Sequence, residues 1–242
     1  MSSILSVKKL SKTVISNGEE LKILSDCQFE INAGESVAIV GRSGSGKSTL
    51  LSLLAGLDVC EQGEIELAGQ SLNRLDEEQR ALLRGQHVGF VFQSFMLVQS
   101  LTALENVMLP LELNHQAKAK EQASELLSAV GLADRGHHYP NQLSGGEQQR
   151  VAVARAFASK PDILFADEPT GNLDAENGHK VENLLFELNK AQGTTLVLVT
   201  HDLNLAKRCQ RQLQMQAGQL TEITQNITNQ PKINDEAGSY AG

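Results

Sequence analysis

Gly41-Arg42-Ser43-Gly44-Ser45-Gly46-Lys47-Ser48-Thr49 reads G-x-x-x-x-G-K-S, the spacing of a phosphate-binding loop. The run Ser36-Val37-Ala38-Ile39-Val40 before it has the look of a short buried strand. After it, Leu50, Leu51, Leu53, Leu54 and Leu57 recur at helical spacing. Glycines at 41, 44 and 46 let the backbone wrap a polyphosphate with its N–H groups turned inward. The loop opens a helix, where the dipole favours negative charge. Lys47 is placed to reach the β- and γ-phosphates, and the Ser48 hydroxyl to sit on Mg2+. The bland alternative is a glycine-rich turn that merely precedes a helix. Strand, loop and helix in that order argue against it, and imply a nucleoside triphosphate site.

Upstream, Leu5/Val7, Ile23-Leu24 and Phe29/Ile31 form short alternating or apolar pieces, separated by expected turns at Asn17-Gly18 and Ala33-Gly34. Hairpins leading into the phosphate-loop strand follow from that pattern. Downstream, Gly63 to Leu67 reads as a strand closed by Ala68-Gly69; then come a charged segment (Asp76 to Arg84) and the apolar stretch Val88 to Gln93. From about Phe95 to Ser159 the periodicity turns helical, with Leu104/Val107/Met108/Leu111 and Leu126/Leu127/Val130 at three- and four-residue spacing. A helical insertion in an α/β domain is the expectation.

Two further stretches carry chemistry. Pro161 to Ala166 is a compact apolar strand ending in Asp167-Glu168. Asp167 there can hold Mg2+ through water, and Glu168 is placed to polarise a water attacking the γ-phosphate. A merely solvated strand end is the alternative. In Leu143-Ser144-Gly145-Gly146-Glu147-Gln148-Gln149, Ser144 and Glu147 make a capping box beside two glycines, leaving a bare helix start that is itself an anion site. An ordinary helix cap would look similar. With one loop already cradling the nucleotide, this second site can face a γ-phosphate held by a second copy of the chain. Thr194 to Val199 is a last buried strand with Thr200-His201-Asp202 at its carboxyl end, and Leu213/Met215 with Leu220/Ile223 suggest a closing hairpin around Gly218. Strands alternating with helices point to a largely parallel sheet with its ligands at the strand ends.

The 242 residues fit one α/β domain with an inserted subdomain, and no internal repeat is visible. A net charge of −8 argues against a nucleic-acid partner. Cys27, Cys60 and Cys209 fit neither a disulfide framework nor zinc spacing, and read as buried or incidental thiols of a reducing cytosol. The N-terminus lacks the pattern of a signal peptide, and no apolar run approaches the roughly 20 residues that span a bilayer.

Together these motifs resemble the ATP-binding-cassette (ABC) ATPases, with Gln93, Gly171-Asn172-Leu173-Asp174 and His201 completing the set in family order across residues 4–223. The resemblance implies an α/β fold of the P-loop NTPase, ABC type: a mixed sheet core, an antiparallel β-subdomain and a helical subdomain at about 95–160. Residues 224–242 form a polar tail expected to be disordered. The resemblance also implies ATP and Mg2+ as ligands and a homodimer closed around two Mg-ATP. Gly41 to Thr49 would bind the nucleotide together with Ser144, Gly145 and Gly146 of the opposite copy. Ser48, Gln93 and Asp167 would serve the metal. Glu168 would act as base or water-polarising group, and His201 would contact the γ-phosphate. Gln93 would couple the site to a partner, and Asp174 would communicate between protomers.

DEPTGNLD (Asp167 to Asp174) and ALENVMLPL (Ala103 to Leu111) look like the lipoprotein-releasing, macrolide-exporting and cell-division subfamily; FVFQSFML (Phe90 to Leu97) is similar to its YbbA-type members. That likeness implies a separate integral membrane permease of the FtsX/MacB type, driven by mechanotransmission from the cytoplasmic face of the bacterial plasma membrane. Phe95, Met96 and Leu97 then read either as a groove for a short permease helix or as subdomain core. Val14 occupies the position where the family supplies an adenine-stacking aromatic ring. Two other roles share the catalytic residues: an ATPase that regulates an envelope enzyme through a membrane partner, and a soluble ABC ATPase without a transporter. The single cassette and acidic balance disfavour the latter.

Overall fold

The computed structural model describes residues 2–16 and 18–223. Asn17 of the expected turn, and the 224–242 tail with its expected disorder, lie outside the described residues. The elements are β1 (Ser3–Ser16), β2 (Glu19–Asn32), β3 (Ser36–Val40), α1 (Lys47–Leu54), β4 (Gln62–Leu67), β5 (Gln70–Ser71), α2 (Glu77–His87) and β6 (Val88–Val91). They continue with α3 (Ala103–Leu113), α4 (Ala119–Ala129), α5 (Gly145–Ala158), β7 (Ile163–Asp167), α6 (Ala175–Gln192), β8 (Thr195–Thr200), α7 (Leu203–Ala206), β9 (Arg211–Gln216) and β10 (Gln219–Glu222).

The apolar runs become the centre of a six-stranded sheet of order β10-β9-β3-β8-β7-β6. Strands β9, β3, β8, β7 and β6 are parallel, and β10 folds back antiparallel on β9. A parallel sheet covered on both faces needs apolar residues in both phases of each strand. Both phases are filled: Val40, Leu164, Ala166, Leu196 and Leu198 pack under α3 to α6, whereas Val37, Ile39, Phe165, Val197 and Val199 pack towards α1 and the second sheet. That second sheet, β2-β1-β4-β5, is antiparallel throughout. The expected short pieces at its start are two continuous 14-residue strands, β1 and β2. Their register shifts around Leu10, so the ribbon bends there without ending.

The helix after the phosphate loop is shorter than the leucine spacing predicts. It stops at Leu54, Gly56 follows at φ +67°, and Leu57 lies outside the helix at 47% exposure. A left-handed glycine just past the last turn terminates a helix whatever the periodicity beyond it. The helical stretch contains α3 packed on both α4 and α5. Leu97 is core at 7% exposure, Met96 is 57% exposed, and Phe95 lies between, against the core. The two readings of Phe95-Met96-Leu97 therefore divide by residue.

Candidate functional site

Parallel register decides where the site forms. Val40 pairs with Thr200, Asp167 with Val199 and Val91 with Ala166, so the loops after β3, β8, β7 and β6 leave the same edge. They bring the phosphate loop, His201, Glu168 and Gln93 around one cavity of about 690 Å³. Gly44, Gly46, Lys47, Ser48 and Thr49 form its floor. Gly46 sits at φ +100° immediately before α1, and a Cβ there would lie 3.0 Å from the Ile23 carbonyl oxygen. Only glycine fits that turn. Helix α1 has no acidic residue in its first turn to compete for its N-terminus. Lys47 is buried, and its Nζ donates to the carbonyls of Gly41 and Arg42 at 2.9 and 3.1 Å, which holds the ammonium over the loop.

Beside this cradle, Asp167 ends β7 with one carboxylate oxygen buried and without a hydrogen-bond partner. Burial pushes its pKa up, while the Ser48 hydroxyl and the Lys47 charge oppose that rise. Glu168 follows at φ +45°, a left-handed conformation for a bulky residue, and its N–H donates to Val199 at 2.9 Å. Such a conformation costs about 1–3 kcal/mol and persists only where the surroundings hold it. His201 Nδ1 lies 2.9 Å from Glu168 Oε2, joining the residues that immediately follow β7 and β8.

Gln93 lines the same cavity, and its side chain engages Asn172: Gln93 Nε2 donates to Asn172 Oδ1 at 3.1 Å, and Asn172 Nδ2 donates to the Gln93 carbonyl at 3.0 Å. Gly41, Arg42 and Ser45 belong to the loop and Asp167 stands beside it without lining the cavity, and the other predicted residues are elsewhere. Ser144, Gly145, Gly146 and Asp174 do not line the cavity. Ser144 caps α5 by the expected box: its Oγ accepts from Glu147 N at 3.3 Å, and the Glu147 carboxylate accepts from Ser144 N at 2.8 Å. The N–H groups of Gly145 and Gly146, at the first two helical positions, have no partner within the helix. Asp174 caps α6 and also accepts from Asn177 Nδ2 at 2.7 Å; Asn177 holds its carboxyl below the usual range. Asn177 touches Gly146 as well, since a Cβ on Gly146 would come within 2.9 Å of it. One chain thus carries a phosphate-loop cradle and, apart from it, a capped helix start whose Ser144 N–H and hydroxyl are engaged by the Glu147 carboxylate while the Gly145 and Gly146 N–H groups have no partner within the helix.

Solved ATP-binding cassettes share this fold. The dimeric MJ0796 cassette in a post-hydrolysis state bound to ADP and Pi has a TM-score of 0.85 at 40% identity, covering 90% of this chain and 97% of that one. A second dimeric MJ0796 structure, described as a bacterial ABC transporter cassette, has a TM-score of 0.83 at 41% identity, covering 89% and 96%. The ABC transporter ATP-binding protein YbbA of Escherichia coli is 56% identical over 222 residues, 91% of this chain and 97% of its own. LolD of Psychrobacter arcticus, a lipoprotein-releasing system ATP-binding protein, is 47% identical over 90% of this chain and 98% of its own. The ABC transporter family profile matches residues 24–171. The chain belongs to the ABC transporter ATP-binding family. It is an ATPase, the ATP-binding subunit of a transporter, and uses ATP with Mg2+.

The residues present in this ABC ATPase fit the metal. Asp167 offers a buried, unpartnered carboxylate oxygen against the phosphate loop, with Ser48 as the neighbouring hydroxyl. One carboxylate and one hydroxyl suffice for Mg2+, an ion that keeps waters and adds phosphate oxygens to one or two carboxylates. Sequence reading missed Ile23, which forms the aliphatic wall above the loop; Val14, opposite Leu21 on the β1–β2 ribbon, does not line the cavity. An apolar side chain just before the buried Leu24 was the available signal. The motif order gives Asn172 no role of its own; its bond to Gln93 depends on the fold.

Proposed function

We propose that the unit spanning residues 4–223 hydrolyses ATP as a dimer that completes each site from two copies and drives an integral membrane permease of the FtsX/MacB type. One observation carries the reading: Ser144 caps α5, whose Gly145 and Gly146 N–H groups have no partner within the helix, apart from the cavity that Lys47 and Glu168 line. A second copy brings such a helix start to the γ-phosphate, with Asp174 beside it. The chain's own groups then divide the work. The loop and Lys47 orient the phosphates; Ser48 and Asp167 would hold Mg2+, which would supply neutralising charge to them. Glu168 polarises the attacking water, His201 steadies the Glu168 carboxylate and meets the γ-phosphate, and Gln93 reports occupancy to the loop beyond it.

That loop supports the permease part. Phe95 and Met96 both have positive φ, and Arg155 donates to their carbonyls at 3.0 and 2.7 Å, so exposed Met96 is held in place. Beside it, Phe90, Phe92, Pro110 and Leu113 wall a cavity of about 310 Å³, and Leu113 is 71% exposed. An apolar face of that kind suits a short amphipathic helix. No helix of the described residues is long and apolar enough to cross a membrane, so the permease is a separate chain in this scheme, holding the ATPase on the cytoplasmic face of the plasma membrane.

Glu168→Gln tests the site: it should trap a Mg-ATP dimer on size exclusion and abolish turnover. Parental hydrolysis, or a monomer at saturating Mg-ATP, overturns the reading. Pulling the tagged chain from membranes in mild detergent should bring an integral membrane protein with a large extracytoplasmic part. Recovery with nucleic acid instead would favour a non-transport ATPase.

A further inference from the structure

Gln149 lies on α5 and is fully buried, in phase with Gly146 and Val153, which are buried too. Its amide nitrogen donates to two carbonyl oxygens, Phe92 at 3.3 Å and Pro169 at 2.5 Å. Phe92 immediately precedes Gln93, and Pro169 immediately follows Glu168. Its Oε1 is buried and has no hydrogen-bond partner. The two acceptors fix which way the amide points, because the flipped amide would set oxygen against oxygen. Leaving a buried acceptor unpaired is unfavourable; an apolar side chain of similar length would avoid it at Oε1 but would take the donor away from the Phe92 and Pro169 carbonyls. What the glutamine supplies is therefore placement of the two peptide units it grips.

We propose that Gln149 is a positioning residue of the hydrolytic site. It ties the helix that begins at Ser144 to the chain entering Gln93 and to the chain leaving Glu168, so a displacement of that helix moves both groups together. Glu168 has particular need of such a hold, since its left-handed backbone is stable only where the flanking peptides are fixed. The inference rests on Gln93 and Glu168 acting as proposed above, while Gln149 itself does not line the nucleotide cavity.

The test uses the full chain with Gln149→Met, which keeps the length and removes both donors, and Gln149→Asn, one methylene too short to hold both carbonyls. Glu168→Gln and Gln93→Ala serve as references. Gln149→Met should lower kcat by at least about tenfold while KM for Mg-ATP stays within about twofold, because the phosphate cradle is untouched. Without nucleotide, amide hydrogen exchange should quicken over residues 92–97 and 168–174 but not over 42–49. Gln149→Asn should shift the same readouts in the same direction, and decides the matter if the methionine variant does not fold. Parental kcat in a folded variant overturns the inference, as does exchange that quickens equally across the phosphate loop. Normal loss of turnover in the two reference variants beside an unaffected Gln149→Met sinks this inference alone. Parental turnover in the references removes the site reading and this inference with it.

Discussion

Gly146 and Asn177 show how little room single residues have at this site. A methyl group on Gly146 would press on the Asn177 side chain, whose Nδ2 donates to the Asp174 carboxylate at 2.7 Å while the Asn177 backbone N–H donates to the same carboxylate at 2.9 Å. Gly146→Ala should therefore disturb both helix starts at once. ATP-dependent dimerisation is expected to weaken by about tenfold or more with a small change in Tm, measured by sedimentation in the Glu168→Gln background. The thiols offer a check on burial itself. Burial pushes Cys209 up to about 12 and raises Cys27 as well, while Cys60 is only half-buried. At about pH 8, iodoacetamide should label Cys60 in the folded protein, and Cys27 and Cys209 only in denaturant, because buried neutral thiols are poor nucleophiles.

At the scale of elements, two helices carry the same capping box with different consequences. Thr102 caps α3 and Ser144 caps α5, each reciprocated by a glutamate three residues on. Removing either hydroxyl should cost about 1 kcal/mol of stability, seen as a fall in the urea midpoint. Thr102→Ala should leave kcat unchanged, since α3 does not line the nucleotide cavity. Ser144→Ala should lose ATP-driven dimerisation in addition. Equal effects of the two on dimerisation would make the α5 start an ordinary cap. The box was legible in the sequence because it is purely local; that the start of α5 lies outside the lining of its own cavity was not, since that depends on how α5 packs against α3 and α6.

Across the whole molecule, Arg211 joins parts that are remote in the chain. On β9, it donates to Glu35 Oε2 at 2.8 Å, to the Glu30 carbonyl at 2.9 Å and to Glu222 Oε1 at 2.8 Å, binding the edge of the large sheet to the antiparallel one. The Arg211 guanidinium holds Glu222 below its ordinary value of 4.5. A carboxylate with a depressed folded pKa adds stability above its ordinary pKa and loses it as pH falls through the depressed one. Stability should thus decline as pH falls below that ordinary value and through the depressed one, and Arg211→Met should be less stable at neutral pH with a flatter acid decline, measured by urea unfolding at each pH. An unchanged acid slope would show that this pair does not contribute.

The sequence by itself determined the nucleotide loop, the buried strands, the caps and the order of the motifs, because each depends on neighbours within about four residues. Leu57 shows the limit of that reading: periodicity favours helix there, and a single glycine at Gly56 overrules it. Only the tertiary structure decided that Gln93 bonds Asn172, that His201 bonds Glu168, that Ile23 walls the cavity and that Gln149 grips both loops. Those contacts join residues 20 to 79 positions apart. Parallel strand register brings such partners together, and register is set by the core's need to bury both faces of the sheet, a condition on the whole chain that no short stretch contains.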